Sequence, residues 1–213
     1  MSEEISNYWD HSMKLNLGAR TVSLPGFKNV DLFDGPLIDI VDNASDLSTI
    51  PDGVVEEIYA SHLIEHFSYE ITDKVLARWY SVLKPGGKLL IECPDFDRLS
   101  KAYTQGILTF VQVESAIFGK MDEPGMQHFA LFNFSHLKEK LTKAGFENIS
   151  EIDTPAFSKH DKRMNLAVQA NKPLQNKSYT AKITKLKKKK WYKRWKKWLS
   201  RKMMKLVMWF DKI

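Results

Sequence analysis

The chain has 213 residues, enough for one well-cored domain and an appendage. Its single cysteine, Cys93, excludes an internal disulfide and fits a reducing compartment. The net charge of +6 hides two unlike parts: residues 172–213 hold 16 of the 32 Lys and Arg against one acid, Asp211, for +15, whereas residues 1–171 hold 16 bases against 25 acids, for −9. Such asymmetry points to a separate partner for the tail.

Residues 1–13 carry acids early and no apolar segment, so they read as a lead-in and not as a signal peptide. No run approaches the ~18 apolar residues of a membrane span. The first strand is expected from near Lys14, where Leu15 and Leu17 alternate with Asn16 and Gly18 then stops the run. The connector Arg20 to Lys28, with Pro25-Gly26, is too short for a crossover helix, and a second short strand, Asn29-Val30, ends in Asp31. In an open α/β sheet ligands bind outside the carboxyl ends of the strands, where a carboxylate can accept hydrogen bonds from two ribose hydroxyls. Glycine and Asp31 together make a nucleoside-cofactor hypothesis, although Gly18-Ala19-Arg20 is no full G-x-G-x-x-G; the plain alternative is a strand–turn–strand with a surface Asp.

A third strand is expected over Pro36 to Val41 and a fourth over Val54 to Ser61, followed by Ser61-His62 and Leu63-Ile64-Glu65-His66-Phe67. Residues 70–83 are the clearest helix: Ile71, Val75, Leu76, Trp79, Val82 and Leu83 share a face, and Lys84-Pro85-Gly86-Gly87 is expected to end it. The apolar run from Lys88 to Ile91 suits a central parallel strand buried on both faces. Asp95 or Asp97 caps the next expected helix, which ends near Gly106. Residues 107–134 break the rhythm and read either as an acceptor lid or as a packed helix plus loop. Ser135 is expected to cap a helix closed by Gly145, and Phe146 to Thr154 with Met164 to Lys172 form a terminal antiparallel pair. The predicted fold is a Rossmann-like, doubly wound, mostly parallel α/β sheet over residues 1–172, followed by a helical tail over 173–213.

LNLGAR, GFKNVD, DIV, DL, EIYASHLIEHF and VLKPGGKLLIECPD, in that order, resemble the class I SAM-dependent methyltransferases. More narrowly, the chain resembles small bacterial and viral members found beside surface-glycan genes; the likeness covers roughly residues 13–171. The resemblance implies S-adenosyl-L-methionine as cofactor. It implies that Leu17, Gly18 and Ala19 line the methionine end, that Asp31 binds the ribose, and that Leu32, Asp46 and Leu47 contact the adenine. Ser61 and His62 would lie under the sulfonium. Arg20 stands where the family usually has a second glycine, and either crowds the cofactor or pairs with its carboxylate.

A hydroxyl acceptor needs a base to take its proton, and His62, His66, Asp95 and His128 are the candidates. His62 is favoured by its place at a strand tip; the plainer readings are packing for His66, a solvated loop for His128 and a helix cap for Asp95. Glu65 and His66 do not make an H-E-x-x-H pair and Cys93 has no partner cysteine, so no metal site is expected.

In the tail, Trp191, Trp195, Trp198, Leu199, Met203, Leu206, Phe210 and Ile213 recur every three or four residues, with Lys and Arg opposite. That is the pattern of an interfacial helix on an anionic membrane, each nearby cation contributing ~1 kcal/mol. Docking on the acidic body or a partner subunit is the alternative; nucleic acid fits less well because the aliphatic surface is large. The expected protein is a methyltransferase for a sugar or lipid-linked glycan hydroxyl, in the cytoplasm and at the inner face of the cytoplasmic membrane through residues 185–213. The competing expectation is a non-catalytic scaffold of the same fold whose tail binds membrane or RNA.

Overall fold

The computed structural model describes residues 13–174 apart from 123, 124, 156, 157, 159, 160 and 162. The expected lead-in turn and the expected amphipathic tail lie outside the described residues. In chain order the elements are β1 (Met13–Leu17), β2 (Lys28–Asp31), β3 (Ile40–Val41), β4 (Val55–Ser61), a 3₁₀ turn (Ile64–His66), α1 (Thr72–Val82), β5 (Leu83–Pro94), α2 (Phe96–Thr104), α3 (Phe110–Phe118), α4 (Phe134–Ala144), β6 (Glu147–Glu151) and β7 (Asn165–Asn171). The strands form one sheet in the order β3-β2-β1-β4-β5-β7-β6. β1 to β5 run parallel, and β7 lies antiparallel between β5 and β6. The order reverses between β1 and β4, so the topological switch falls beside Leu17 and Ser61, where a ligand crevice is expected.

The main core lies on one face of the sheet. α1 turns Val75, Leu76, Trp79 and Val82 inward, as its periodicity predicts, while Ile71 stays partly exposed at the helix start. Trp79 is fully buried, and its indole N–H donates to the Ala44 carbonyl (2.8 Å), so a large apolar side chain is enclosed without an unpaired donor. Leu137 and Leu141 of α4 join the same core, and Lys140 ties α4 to Asp73 of α1 at 3.0 Å. The opposite face is thinner. No helix joins β1 to β2, and a small cluster of Leu24, Tyr59 and Leu90 with Phe27 and Ile152 covers the strands there.

Three local expectations change. Only Ile40–Val41 of the expected third strand pairs with β2; further back one backbone bond remains, from the Asp39 N–H to the Asn29 carbonyl (2.9 Å), and side chains make the rest, the Asn29 N–H donating to Asp39 Oδ2 (2.8 Å) and the Asn29 amide to the Leu37 carbonyl (2.7 Å). α1 ends at Val82, just before Lys84 to Gly87 as expected, but that segment is a bulge inside β5 and not a loop ahead of it, since Val55 pairs with Leu83 and Glu57 with Lys88. α4 is capped by Asn133, whose side chain accepts from the His136 N–H (2.9 Å), and not by Ser135.

Candidate active site

β1 ends in a turn that only glycine makes easily. Gly18 has φ +66° and its N–H donates to the Val30 carbonyl (2.9 Å). Two residues on, Arg20 is also left-handed, and its N–H donates to Asp31 Oδ2 (2.9 Å) while the Phe33 N–H donates to Oδ1 (3.1 Å). The turn therefore fixes the Asp31 carboxylate at the tip of β2. An ionised carboxylate has about four acceptor sites, so two remain for a ligand. Beside it Leu32 and Phe33 are 56% and 71% exposed, large apolar side chains next to a buried anion. That combination fits a ribose diol and the flat face of a base. The Arg20 side chain reaches Met126 Sδ (2.7 Å) in the loop after α3.

Two other residues expected at the cofactor lie deeper. Leu17 and Leu47 are both buried in the main core. Leu47 has φ +41° and its loop is clamped from behind, Arg78 donating to the carbonyls of Asp46 and Leu47. Asp46 is exposed, and Ala19 is buried. Ser61 Oγ donates to Glu92 Oε2 (2.9 Å), which also accepts from the Tyr59 hydroxyl (2.6 Å). Burial raises the Tyr59 pKa, with the Glu92 hydrogen bond adding to it. Glu92 is a buried carboxylate absent from the sequence reading, where it is hidden at the end of an apolar strand.

His62 follows β4 with φ +49°, a conformation costly for a side chain with a Cβ and concentrated at functional sites. Its N–H donates to the Glu92 carbonyl (2.8 Å), and its Nδ1 lies 3.1 Å from Glu65 Oε1. Glu65, one turn on, is 1% exposed. The His62 contact has ion-pair distance but poor hydrogen-bond geometry, and neither Glu65 carboxylate oxygen accepts a hydrogen bond among the described residues. The Glu65 carbonyl accepts the N–H groups of Phe129 (2.8 Å) and Ala130 (3.2 Å), which docks the insertion on the 3₁₀ turn.

This docking brings His128 against His66, ring centroids 4.8 Å apart and nearly perpendicular. His66 Nδ1 lies 2.8 Å from the Gln127 carbonyl and His128 Nδ1 lies 3.0 Å from the Ala116 carbonyl. Burial lowers the His128 pKa, partly offset by the nearby Glu65 charge. Of the four candidate bases the structure thus gathers His62, His66 and His128 around Glu65, a residue to which the sequence offers no role beyond the absent H-E-x-x-H pair. The sequence signal for this grouping is the spacing H-x-x-E-H over residues 62–66, the reverse of H-E-x-x-H. Asp95 does structural work: it caps α2 by accepting the Asp97 N–H (3.0 Å) and pairs with Arg98 (3.1 Å). Burial raises its pKa.

A separate open depression of about 610 Å³, lined by Arg98, Glu151, Ile152, Asp153, Thr154 and Arg163, contains none of the predicted site residues.

A family model described as a methyltransferase domain matches residues 26–91, from the β1–β2 connector into β5. Among solved structures, the chain resembles a SAM-dependent methyltransferase from Archaeoglobus fulgidus (17% identity, 79% of this chain and 90% of that one, TM-score 0.50). It also resembles one from Methanosarcina mazei (17% identity, 82% and 99%, TM-score 0.50). A possible exported protein from Bordetella parapertussis matches with TM-score 0.52 at 17% identity, over 80% of this chain and 65% of that longer one. No curated protein matches the sequence. The fold is that of the SAM-dependent methyltransferases, and the matched domain supports S-adenosyl-L-methionine as cofactor.

Proposed function

We propose that this protein is a class I SAM-dependent methyltransferase acting on a hydroxyl of a sugar or lipid-linked glycan. The observation that carries the cofactor half is Asp31: a buried carboxylate at a strand tip, fixed by two backbone N–H groups and flanked by exposed Leu32 and Phe33. When bound, S-adenosyl-L-methionine supplies a sulfonium methyl that needs alignment more than activation. Asp31 would accept the two ribose hydroxyls and Leu32 and Phe33 would cover the base, while Gly18, whose missing Cβ leaves room for the Leu63 side chain, makes the turn that holds Asp31 in place. His62 is the base: Glu65 faces its Nδ1, so Nε2 takes the acceptor proton. That nitrogen is buried, and acceptor entry therefore requires movement of the side chains that cover it. A glycan acceptor rests on the family resemblance and on the need of a neutral hydroxyl for a base.

Calorimetric titration with S-adenosylhomocysteine tests the cofactor reading. Saturable binding that weakens by roughly 2 kcal/mol or more in Asp31→Ala is expected, the cost of losing hydrogen bonds to a charged group. A folded protein that does not bind refutes it and leaves the scaffold reading. The tail over residues 185–213 is proposed as the membrane anchor, on the strength of its apolar and basic faces. Full-length protein should pellet with anionic vesicles and a chain ending at 172 should not; equal pelleting sinks the anchor.

A further inference from the structure

We infer that Glu65, His66 and His128 form a binding site for one divalent first-row transition-metal ion, which fastens the insertion after α2 to the turn after β4. One potential ligand atom from each residue lies within 4.8 Å of the other two. A cation about 2.1 Å from each donor would hold them roughly 3–3.5 Å apart, so side-chain shifts of under about an ångström each close the site.

Three further observations point to a cation and not to a self-contained polar cluster. The first is the state of the carboxylate. Glu65 is 1% exposed, and neither oxygen accepts a hydrogen bond among the described residues. A buried anion in that condition is costly unless a cation compensates it. The second is the orientation of the imidazoles. A carbonyl oxygen only accepts, so Nδ1 of His66 and of His128 must each carry the proton donated to Gln127 and Ala116. The Nε2 lone pairs are left available, and this outer hydrogen bond to a backbone carbonyl is the one metal-bound histidines ordinarily make. The third is what the chain gives up to place His128. Gly119 has φ +72°, and a Cβ there would sit 2.1 Å from the Met126 carbonyl oxygen and 2.8 Å from His128 Cδ2. Only glycine lets position 119 bridge Gln127 so closely that His128 meets His66.

Two imidazoles and one carboxylate suit manganese, iron, cobalt or zinc better than calcium or magnesium, which favour all-oxygen shells. Three protein donors also leave coordination positions for oxygen ligands such as water or an acceptor hydroxyl. The site stands independently of the cofactor reading, since none of its residues touches Asp31 or the Gly18 turn in the contacts described above.

The test uses full-length protein stripped with chelator and titrated with Co²⁺, followed by visible absorption. The expected result is a saturable ligand-field band at one Co²⁺ per chain. Glu65→Gln, His66→Asn and His128→Asn should each weaken binding by more than about tenfold. His136→Asn, an exposed histidine on α4, should leave it unchanged. Near-UV circular dichroism verifies each fold, and the separate histidine variants keep the test open should one misfold. No band from folded wild-type protein, or a band that survives all three ligand substitutions, overturns the site.

Discussion

The loops after β3 and β4 each bury a carboxylate and treat it in opposite ways. Asp42 accepts the N–H groups of Asn43 (2.8 Å), Ser48 (3.3 Å) and Thr49 (2.9 Å) and the hydroxyls of Ser48 (3.2 Å) and Thr49 (2.6 Å). Glu65 is more deeply buried and accepts none. The first loop satisfies its own anion and so needs no ligand to be stable. The second holds an anion whose partners are imidazoles and whatever cation they bind. The contrast separates scaffold from site more sharply than burial does, because both residues count as buried acids.

The largest effect should come from breaking the scaffold side. Asp42→Ala leaves several donors of the β3 loop unpaired and should cost about 3 kcal/mol in denaturant unfolding. Glu65→Gln, measured in chelator, should leave stability unchanged or raise it by about 1 kcal/mol, since it removes a buried carboxylate that, among the described residues, accepts no hydrogen bond and has only the His62 imidazole at ion-pair distance. Comparable losses in both variants would mean that the contrast is wrong. The acid limb sharpens it. Burial pushes the Asp42 carboxyl up, but the hydrogen bonds from Thr49, Asn43 and Ser48 outweigh it and hold the group below its usual value of 3.8. A depressed folded pKa contributes stability that is complete above 3.8 and is lost as pH falls through the folded value. Asp42→Asn should therefore flatten the stability profile below about pH 4.

The same contrast explains what could be read from the sequence. The mostly parallel strands with a terminal antiparallel pair, the abbreviated β1–β2 connection, the α1 face and the place of Asp31 at the end of β2 follow from local periodicity and from glycine and proline punctuation, which tertiary contacts do not override here, whereas the strand order is set by tertiary pairing. The backbone of Leu47 could not be read that way: its left-handed conformation and full burial depend on the loop around it. The grouping at Glu65 was further out of reach. His128 lies 62 positions beyond His66 and arrives only because Gly119 permits the fold-back and the Glu65 carbonyl receives Phe129 and Ala130. The H-x-x-E-H spacing was visible in the chain, but on a 3₁₀ turn it gains meaning only with the third residue in place.

The smallest stability effect belongs to the residue between the two loops' roles, and it carries the strongest functional consequence. His62 has φ +49°, which costs a histidine about 1–2 kcal/mol relative to ordinary backbone. Asparagine tolerates that region better, so His62→Asn should raise stability by up to about 1 kcal/mol, less whatever the imidazole gains from Glu65. Cofactor affinity should hold, because Asp31 and the Gly18 turn are untouched. Methyl transfer to a sugar-hydroxyl acceptor should fall by about 10²–10⁴, the usual worth of a positioned base. A variant that keeps its turnover removes His62 from the chemistry. One that loses stability by more than 1–2 kcal/mol shows instead that the strained histidine supports the β4 tip, and that the strain is structural.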